Sequence, residues 1–345
     1  MRTPTDPDEI FRDKTVLITG GTGSFGKAMA LRLLEKNLCA KVIIFSRDEW
    51  KQWHMQKSHP LFNHPKIRYF LGDVRDKERL LRAFHEVHYV IHAAALKQVP
   101  AAEYNPSEFV KTNVQGAMNI IDAAIDTRVE KVIALSTDKA VNPVNLYGAT
   151  KLCSDKLFIA GNSYVGKSGT PSFSVVRYGN VLGSRGSLLP HWQELLEQGA
   201  KTLPITDTRM TRFWITLKQA VEFVCDSASR ALGGEIFIPK AASVRIVYLA
   251  KAFAPRIPHS ICGIRPGEKI HEVLLSQDDS RQAFEYDTGY VVTPFVSGKA
   301  HQYYTSTVQH VAEDFLLSSD TNPLFLDSIE SIQKLIAHVQ FDTAL

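Results

Sequence analysis

The 345-residue sequence is poor in cysteine, lacks any long apolar run and carries little excess charge of either sign. Its four cysteines, Cys39, Cys153, Cys225 and Cys262, lie far apart without a C-x-x-C pair, which excludes a disulfide scaffold and leaves reduced, buried thiols as the expectation. No structural metal is expected. His54, His59 and His64 recur every five residues, but beside Pro60 and Pro65 they read as a surface loop. Apolar runs such as 42–45 and 132–135 are too short to cross a bilayer, so no membrane association is expected. The N-terminus carries Pro, Asp and Glu instead of a charged-then-apolar leader, which points to a cytoplasmic protein. Forty Lys and Arg against thirty-six Asp and Glu leave a net charge of +4 without basic blocks, arguing against nucleic acid as a partner. There is no internal repeat or low-complexity segment.

What is present is an ordinary globular composition, 44% hydrophobic and 22% charged, in a chain long enough to bury a large core. Short β-branched runs at 15–20, 41–46, 67–73, 89–95, 131–137 and 172–179 alternate with helical stretches, including 27–36, 107–124 and 146–160. Runs that are apolar throughout, joined by helices, predict an α/β fold: a doubly wound parallel sheet binding ligands at the carboxyl ends of its strands. After residue 180 the rhythm changes to Gly-, Ser- and Pro-rich loops, with helices near 191–198 and 217–230 and a strand at 234–239. We therefore expect a dinucleotide-binding unit over 1–180 and a smaller substrate lobe over 181–345, with about 217–240 returning to the main sheet. Residues 296–345 carry no readable motif.

The first strand runs into Thr19-Gly20-Gly21-Thr22-Gly23-Ser24-Phe25-Gly26. Gly20, Gly23 and Gly26 let the turn tighten, the backbone approach a pyrophosphate and the helix pack on the strand, while the helix N-terminus offers N–H donors. Thr22, Ser24 and Phe25 complete the cradle. The spacing is that of short-chain dehydrogenases. At the end of the second strand, where NAD sites place a carboxylate, stand Ser46 and Arg47, with Lys51 a helical turn on. A hydroxyl and cations suit the 2′-phosphate of NADP; Asp48 competes. Asp73 and Val74, after the third strand, resemble the pair that brackets the adenine.

Thr137, Asp138 and Lys139 end the fifth strand, and Tyr147 and Lys151 follow at helical i,i+4 spacing, so both lie on one helix face. The Lys151 ammonium is expected to lower the phenol's pKa and hold the nicotinamide ribose, making Tyr147 a base.

Gly-Gly-Thr-Gly-Ser-Phe-Gly at 20–26, Ala-Ala-Ala-Leu-Lys at 93–97, Thr-Asp-Lys-Ala at 137–140 and Asn-Leu-Tyr-Gly-Ala-Thr-Lys at 145–151 resemble the inverting UDP-N-acetylglucosamine 4,6-dehydratases. Arg-Tyr-Gly-Asn-Val at 177–181, Met-Thr-Arg-Phe-Trp-Ile at 210–215 and Gly-Ile-Arg-Pro-Gly-Glu-Lys at 263–269 extend the resemblance, which covers residues 14 to about 295. It implies an extended short-chain dehydrogenase/reductase fold, NADP as cofactor and UDP-N-acetylglucosamine as substrate. The reaction would be the first step of pseudaminic acid synthesis, which feeds flagellin glycosylation, in a homo-oligomer (dimer or hexamer). Lys139 would be the carbon 5 base, with a depressed pKa, and Asp138 the acid at the carbon 6 hydroxyl. Dehydratases that retain the carbon 5 configuration resemble this pattern with Asp-Glu at these positions, so Lys139 favours inversion. The resemblance further places Ala93, Lys97 and Val181 at the cofactor, and Arg212 and Arg265 on the UDP diphosphate with Glu268 on its ribose. Lys97 and Asn180 would meet the sugar, Leu188, Leu189 and Pro190 would form a pocket wall, and Asn113 would support the proton relay. Two rivals stand beside this reading, a UDP-N-acetylglucosamine 4-epimerase and a non-catalytic NADP-sensing regulator.

Overall fold

A computed structural model describes residues 6–166, 169–294 and 298–337; both ends of the expected units, 1–5 and 338–345, lie outside the described residues. Six strands, β1 (Thr15–Thr19), β2 (Lys41–Ser46), β3 (Ile67–Leu71), β4 (Tyr89–His92), β5 (Lys131–Thr137) and β6 (Ser172–Tyr178), pair in parallel in the order β3-β2-β1-β4-β5-β6. This is the Rossmann order, whose ligand crevice opens where the winding reverses, at the carboxyl ends of β1 and β4.

The apolar runs are explained by burial on both faces. Val16, Ile18, Val42 and Ile44 point into one core with Met29 and Leu33 of helix α1 (Ser24–Glu35) and Val221 and Val224 of helix Leu217–Arg230. The intervening Leu17, Ile43 and Phe45 point into the other, with Leu80, Ile120 and Phe158. A strand covered on both sides has no polar positions to alternate. Truncating the fully buried Phe158 to Ala would cost about 3–5 kcal/mol.

The boundary at 180 divides the chain but not the sheet. Ile236–Pro239 pairs in parallel with β6, and Gly289–Val292, Ala283–Tyr286 and Gln309–His310 add antiparallel strands to make ten in all. The stretch without a readable motif thus supplies an edge strand; at two residues it is too short to show periodicity. The smaller lobe has its own sheet, with Thr211–Ile215 and Ala242–Arg245 at its centre, and a separate core around Trp192, Trp214, Leu249 and Ile332.

Several local expectations are corrected. The helix read at 107–124 is three pieces, Pro106–Phe109, a π turn at Val110–Gln115 and Gly116–Asp126. His54 lies on helix α2 (Glu49–Ser58) instead of a loop, and His59 and His64 accept hydrogen bonds from the backbone N–H groups of Leu61 and Lys66. Cys39 and Cys225 are buried, but Cys153 and Cys262 are exposed. Among the described residues no helix is long and apolar enough to cross a membrane, and no cluster of three metal-ligating side chains occurs.

Candidate active site

The site begins where β1 turns into α1. Gly20 has φ +63°, and a Cβ on Gly26 would stand 2.5 Å from the Gly21 Cα, so only glycine lets α1 close on the turn. Thr19, the last residue of β1, receives the backbone N–H groups of Ala93 and Ala94 on its Oγ1, each at 3.2 Å, and lies 2.8 Å from His92 Nδ1. Burial, with Lys151 nearby, pushes the His92 pKa down to about 3. The ring is therefore neutral, and because Thr19 Oγ1 already accepts from two N–H groups, its hydroxyl donates to Nδ1. This clamp fixes the end of β4 against the glycine turn.

The turn and the strand ends enclose a cleft of about 750 Å³. All the residues singled out for the cofactor border it: Gly20, Thr22, Gly23, Ser24, Phe25 and Gly26; Ser46, Arg47, Asp48 and Lys51; Asp73, Val74, Ala93, Lys97, Tyr147, Lys151 and Val181. At the β2 end, Asp48 is the N-cap of α2, its Oδ1 accepting from Lys51 N at 3.0 Å. Its carboxylate is thus already used by the protein, and the competing signal has a structural explanation. Asp73 accepts a bond from Arg75 at 2.8 Å and lies 3.8 Å from Arg47. Half-exposed Arg47 and Lys51 line this end of the cleft, each facing a carboxylate, Asp73 at 3.8 Å and Asp48 at 3.4 Å. A glycine cradle at a helix N-terminus fits a dinucleotide.

At the end of β5, Thr137, Asp138 and Lys139 line the same cleft as Tyr147 and Lys151. Helix Leu146–Gly161 is capped by Asn145, whose Oδ1 accepts from Gly148 N at 2.8 Å. Gly148 packs so tightly on the Lys139 carbonyl that no Cβ fits, which locks the tyrosine's helix to the turn that follows β5. Asp138 is fully buried. Its Oδ1 accepts from Thr137 Oγ1 at 2.9 Å and Lys139 Nζ at 3.0 Å, while Oδ2 has no partner among the described residues.

Two electrostatic expectations are overturned. Desolvation pulls the Lys139 ammonium down, but the carboxylates of Asp138 and Glu272 outweigh it, and the pKa stands above the ordinary lysine value instead of below it. For Tyr147, desolvation dominates and pushes the phenol up to about 12, eased by the charge of Lys139 and a hydrogen bond with Thr137. Lys151, expected to lower the phenol, has its own pKa lowered by burial and is balanced by Asp155. The pattern of i,i+4 spacing was right about a shared face, but the cation that acts on Tyr147 comes from the strand end.

The residues assigned to the substrate separate into two groups. Asn180 and Lys97 face the cleft; Asn180 Oδ1 has no partner among the described residues, and Lys97 Nζ donates to the Arg185 carbonyl at 3.0 Å. The others do not border it. Leu189 and Pro190 are buried in the smaller lobe, with Leu188 packed against its core, because helix Leu188–Glu197 turns that face inward. Arg212 is 8% exposed and spends its guanidinium on the carbonyls of Thr211, Lys269 and Ile270 at 2.7–3.0 Å. Arg265 is exposed, and Glu268 accepts from the Arg265 N–H within its own loop. Asn113 clamps the Leu96 N–H and carbonyl at 2.9 Å and reaches Thr150 Oγ1 at 3.0 Å, steadying the strand β4 exit.

Sequence reasoning missed Arg185, whose N–H donates to Ser24 Oγ at 3.1 Å, and Glu272, which faces Lys139. The first stands four residues after the Arg-Tyr-Gly-Asn-Val motif and could have been found from it; the second has no local signal.

Comparison with known proteins places this geometry. Residues 16–294 match the family described as polysaccharide biosynthesis protein. The chain is 52% identical over 337 residues to the UDP-N-acetylglucosamine 4,6-dehydratase (inverting) of Campylobacter jejuni, covering 96% of this chain and 99% of that one. It is 40% identical to the UDP-glucose 4-epimerase of Rickettsia typhi, covering 96% and 98%. The X-ray structure of Pen from Bacillus thuringiensis superposes with a TM-score of 0.85 at 35% identity, covering 95% and 99%. At such identity and coverage, the chain belongs to the polysaccharide biosynthesis proteins of the extended short-chain dehydrogenase/reductase superfamily, as an enzyme of the same kind as the inverting UDP-N-acetylglucosamine 4,6-dehydratases.

Proposed function

We propose that the protein converts UDP-N-acetylglucosamine to a UDP-2-acetamido-2,6-dideoxy-hexos-4-ulose with inversion at carbon 5, using NADP, as the first step of pseudaminic acid synthesis. The observation that carries this reading is the Asp138–Lys139 pair, 3.0 Å apart in the cleft beside Tyr147. An epimerase needs the tyrosine alone; elimination of water needs a base and an acid besides.

The glycine turn would hold the pyrophosphate, Arg47 and Lys51 the 2′-phosphate, Asp73 and Val74 the adenine, and Lys151 the nicotinamide ribose. NADP supplies a hydride acceptor for carbon 4 and a hydride donor for carbon 6, leaving no net oxidation. Tyr147 would take the carbon 4 hydroxyl proton as the phenolate, a form that burial opposes and the charge of Lys139 favours, and the ketone so formed acidifies carbon 5. Lys139 receives the carbon 5 proton while Asp138 gives one to the carbon 6 oxygen, which leaves as water. For this the pair must start as neutral amine and carboxylic acid. That form differs from the ion pair only in where one shared proton sits, so a raised Lys139 pKa is compatible with the role.

The test is incubation with UDP-N-acetylglucosamine in deuterated water, followed by proton NMR and mass spectrometry. The expected result is a new carbon 6 methyl signal, loss of one water and deuterium at carbon 5, with coupling constants of the inverted sugar. Conversion to the galacto isomer without mass loss would replace this reading with an epimerase, which the 40% identical relative favours.

A further inference from the structure

Glu272 stands just before strand Val273–Leu275 of the second half of the chain and is 2% exposed. Its backbone is pinned on both sides by Ser319, whose N–H donates to the Glu272 carbonyl at 2.8 Å and whose Oγ accepts the Glu272 N–H at 2.9 Å. The carboxylate is thereby held against the catalytic turn. Oε1 lies 3.2 Å from Lys139 Nζ and 3.8 Å from Arg212 Nε. Oε2 lies 3.8 Å from Lys269 Nζ and has no hydrogen-bond partner among the described residues. Lys269 also donates to the Val141 carbonyl at 2.6 Å, joining the two loops.

A buried carboxylate with an unpartnered oxygen is costly, and well-packed apolar residues would serve stability at least as well. Its placement has a chemical consequence instead. Asp138 alone must both share a proton with Lys139 and give one up to the substrate. A second, fixed carboxylate stabilises the ammonium whichever form Asp138 takes. The groups facing Lys139 are Asp138 and Tyr147 from the catalytic turn and helix, Lys97 from the β4 exit, Arg212 from the smaller sheet, and Glu272 with Lys269 from the 263–272 loop. Glu272 is the one carboxylate that the second half of the chain brings to Lys139 among the described residues.

We propose that Glu272 is a positioning residue that sets the proton affinity of Lys139, stabilising the ammonium that forms as carbon 5 loses its proton. Only the C–H bond at carbon 5 breaks and an N–H bond on Lys139 forms; Glu272 neither gives nor takes a proton. The inference rests on Lys139 being the carbon 5 base. It makes the strength of that base depend on the same loop that carries Arg265 and Glu268.

The experiment uses the full-length protein with Glu272→Gln, and with Glu272→Asp, which keeps the charge but withdraws it. Two quantities are followed against pH: carbon 5 deuterium exchange with kcat and KM, and the Lys139 ammonium signal in 15Nζ-lysine protein, assigned through Lys139→Arg. In Glu272→Gln both midpoints should fall together by about 1–3 pH units, the change due to an opposite charge at this range, with KM for the nucleotide sugar unchanged. Glu272→Asp should shift both by less, and decides the matter if the glutamine variant does not fold. An ammonium titration that stays in place in a folded variant overturns the proposal, whatever the activity. A titration that falls while the exchange profile stays put shows that Lys139 is not the base; it removes the underlying reading and leaves the ion pair as merely structural.

Discussion

The turn at 20–26 and the loop at 263–269 are both short, glycine-bearing motifs, yet they meet their expected roles differently. The first lines the cleft throughout its cradle, with Gly20 at φ +63° and Gly26 pressed on Gly21. The second also bends through positive-φ glycines, Gly263 and Gly267, and is tied to the cap of helix Leu146–Gly161 by Asn145 Nδ2 donating to the Gly267 carbonyl at 2.7 Å. Its Arg265 and Glu268 nevertheless do not border the cleft. A binding motif made of backbone N–H groups is complete once the chain turns. One made of long side chains is complete only when the rest of the molecule, and its ligand, decide where they point.

Lys139→Ala should have the largest effect, because it removes a proton acceptor that no local neighbour replaces. Carbon 5 exchange is expected to fall by about 10²–10⁴-fold, while NADP affinity, measured by calorimetry, stays as it was. A comparable loss of NADP binding would show that the strand-end residues and the glycine turn do not act separately. Arg212→Met sharpens the contrast between side-chain motifs. Stranding the carbonyls of Thr211, Lys269 and Ile270 should lower stability by about 1–3 kcal/mol in urea unfolding, with KM for UDP-N-acetylglucosamine unchanged. A raised KM at full stability would restore Arg212 to the diphosphate and break the comparison.

Arg47→Ala tests the β2 end of the cleft. NADP affinity should fall about tenfold, as for loss of one charge-assisted hydrogen bond, with NAD affinity little changed and the difference shrinking at high salt. Equal loss for both dinucleotides would refute a 2′-phosphate contact. The smallest effect is expected from Asp48→Ala: about 1 kcal/mol of stability through the lost α2 cap, and no weakening of NADP binding. Weaker binding would mean that Asp48 serves the ribose after all.

Legibility followed the same division. Five of the six parallel strands were visible because they are buried on both faces, and β3, at the sheet edge with Arg68 and Leu71 exposed, because its run is apolar and aromatic; Tyr147 and Lys151 were visible because helical spacing is a local rule. The strands at 283–310 were not, being two to four residues long and antiparallel at the far edge of a parallel sheet. The wall expected of Leu188 to Pro190 failed because the face a helix presents to a pocket depends on what packs behind it, here the core around Trp192.

By itself, the sequence determined the doubly wound sheet, the glycine cradle and the convergence of Thr137, Asp138, Lys139 and Tyr147, since all of these follow from periodicity and from strand ends in one chain segment. Only the tertiary structure decided how those groups ionise. Lys139 owes its raised proton affinity partly to Glu272, 133 positions away in the numbering and 3.2 Å away in space. The energy of a buried charge is set by every charge and dipole around it, and no local pattern records which distant segment will supply them.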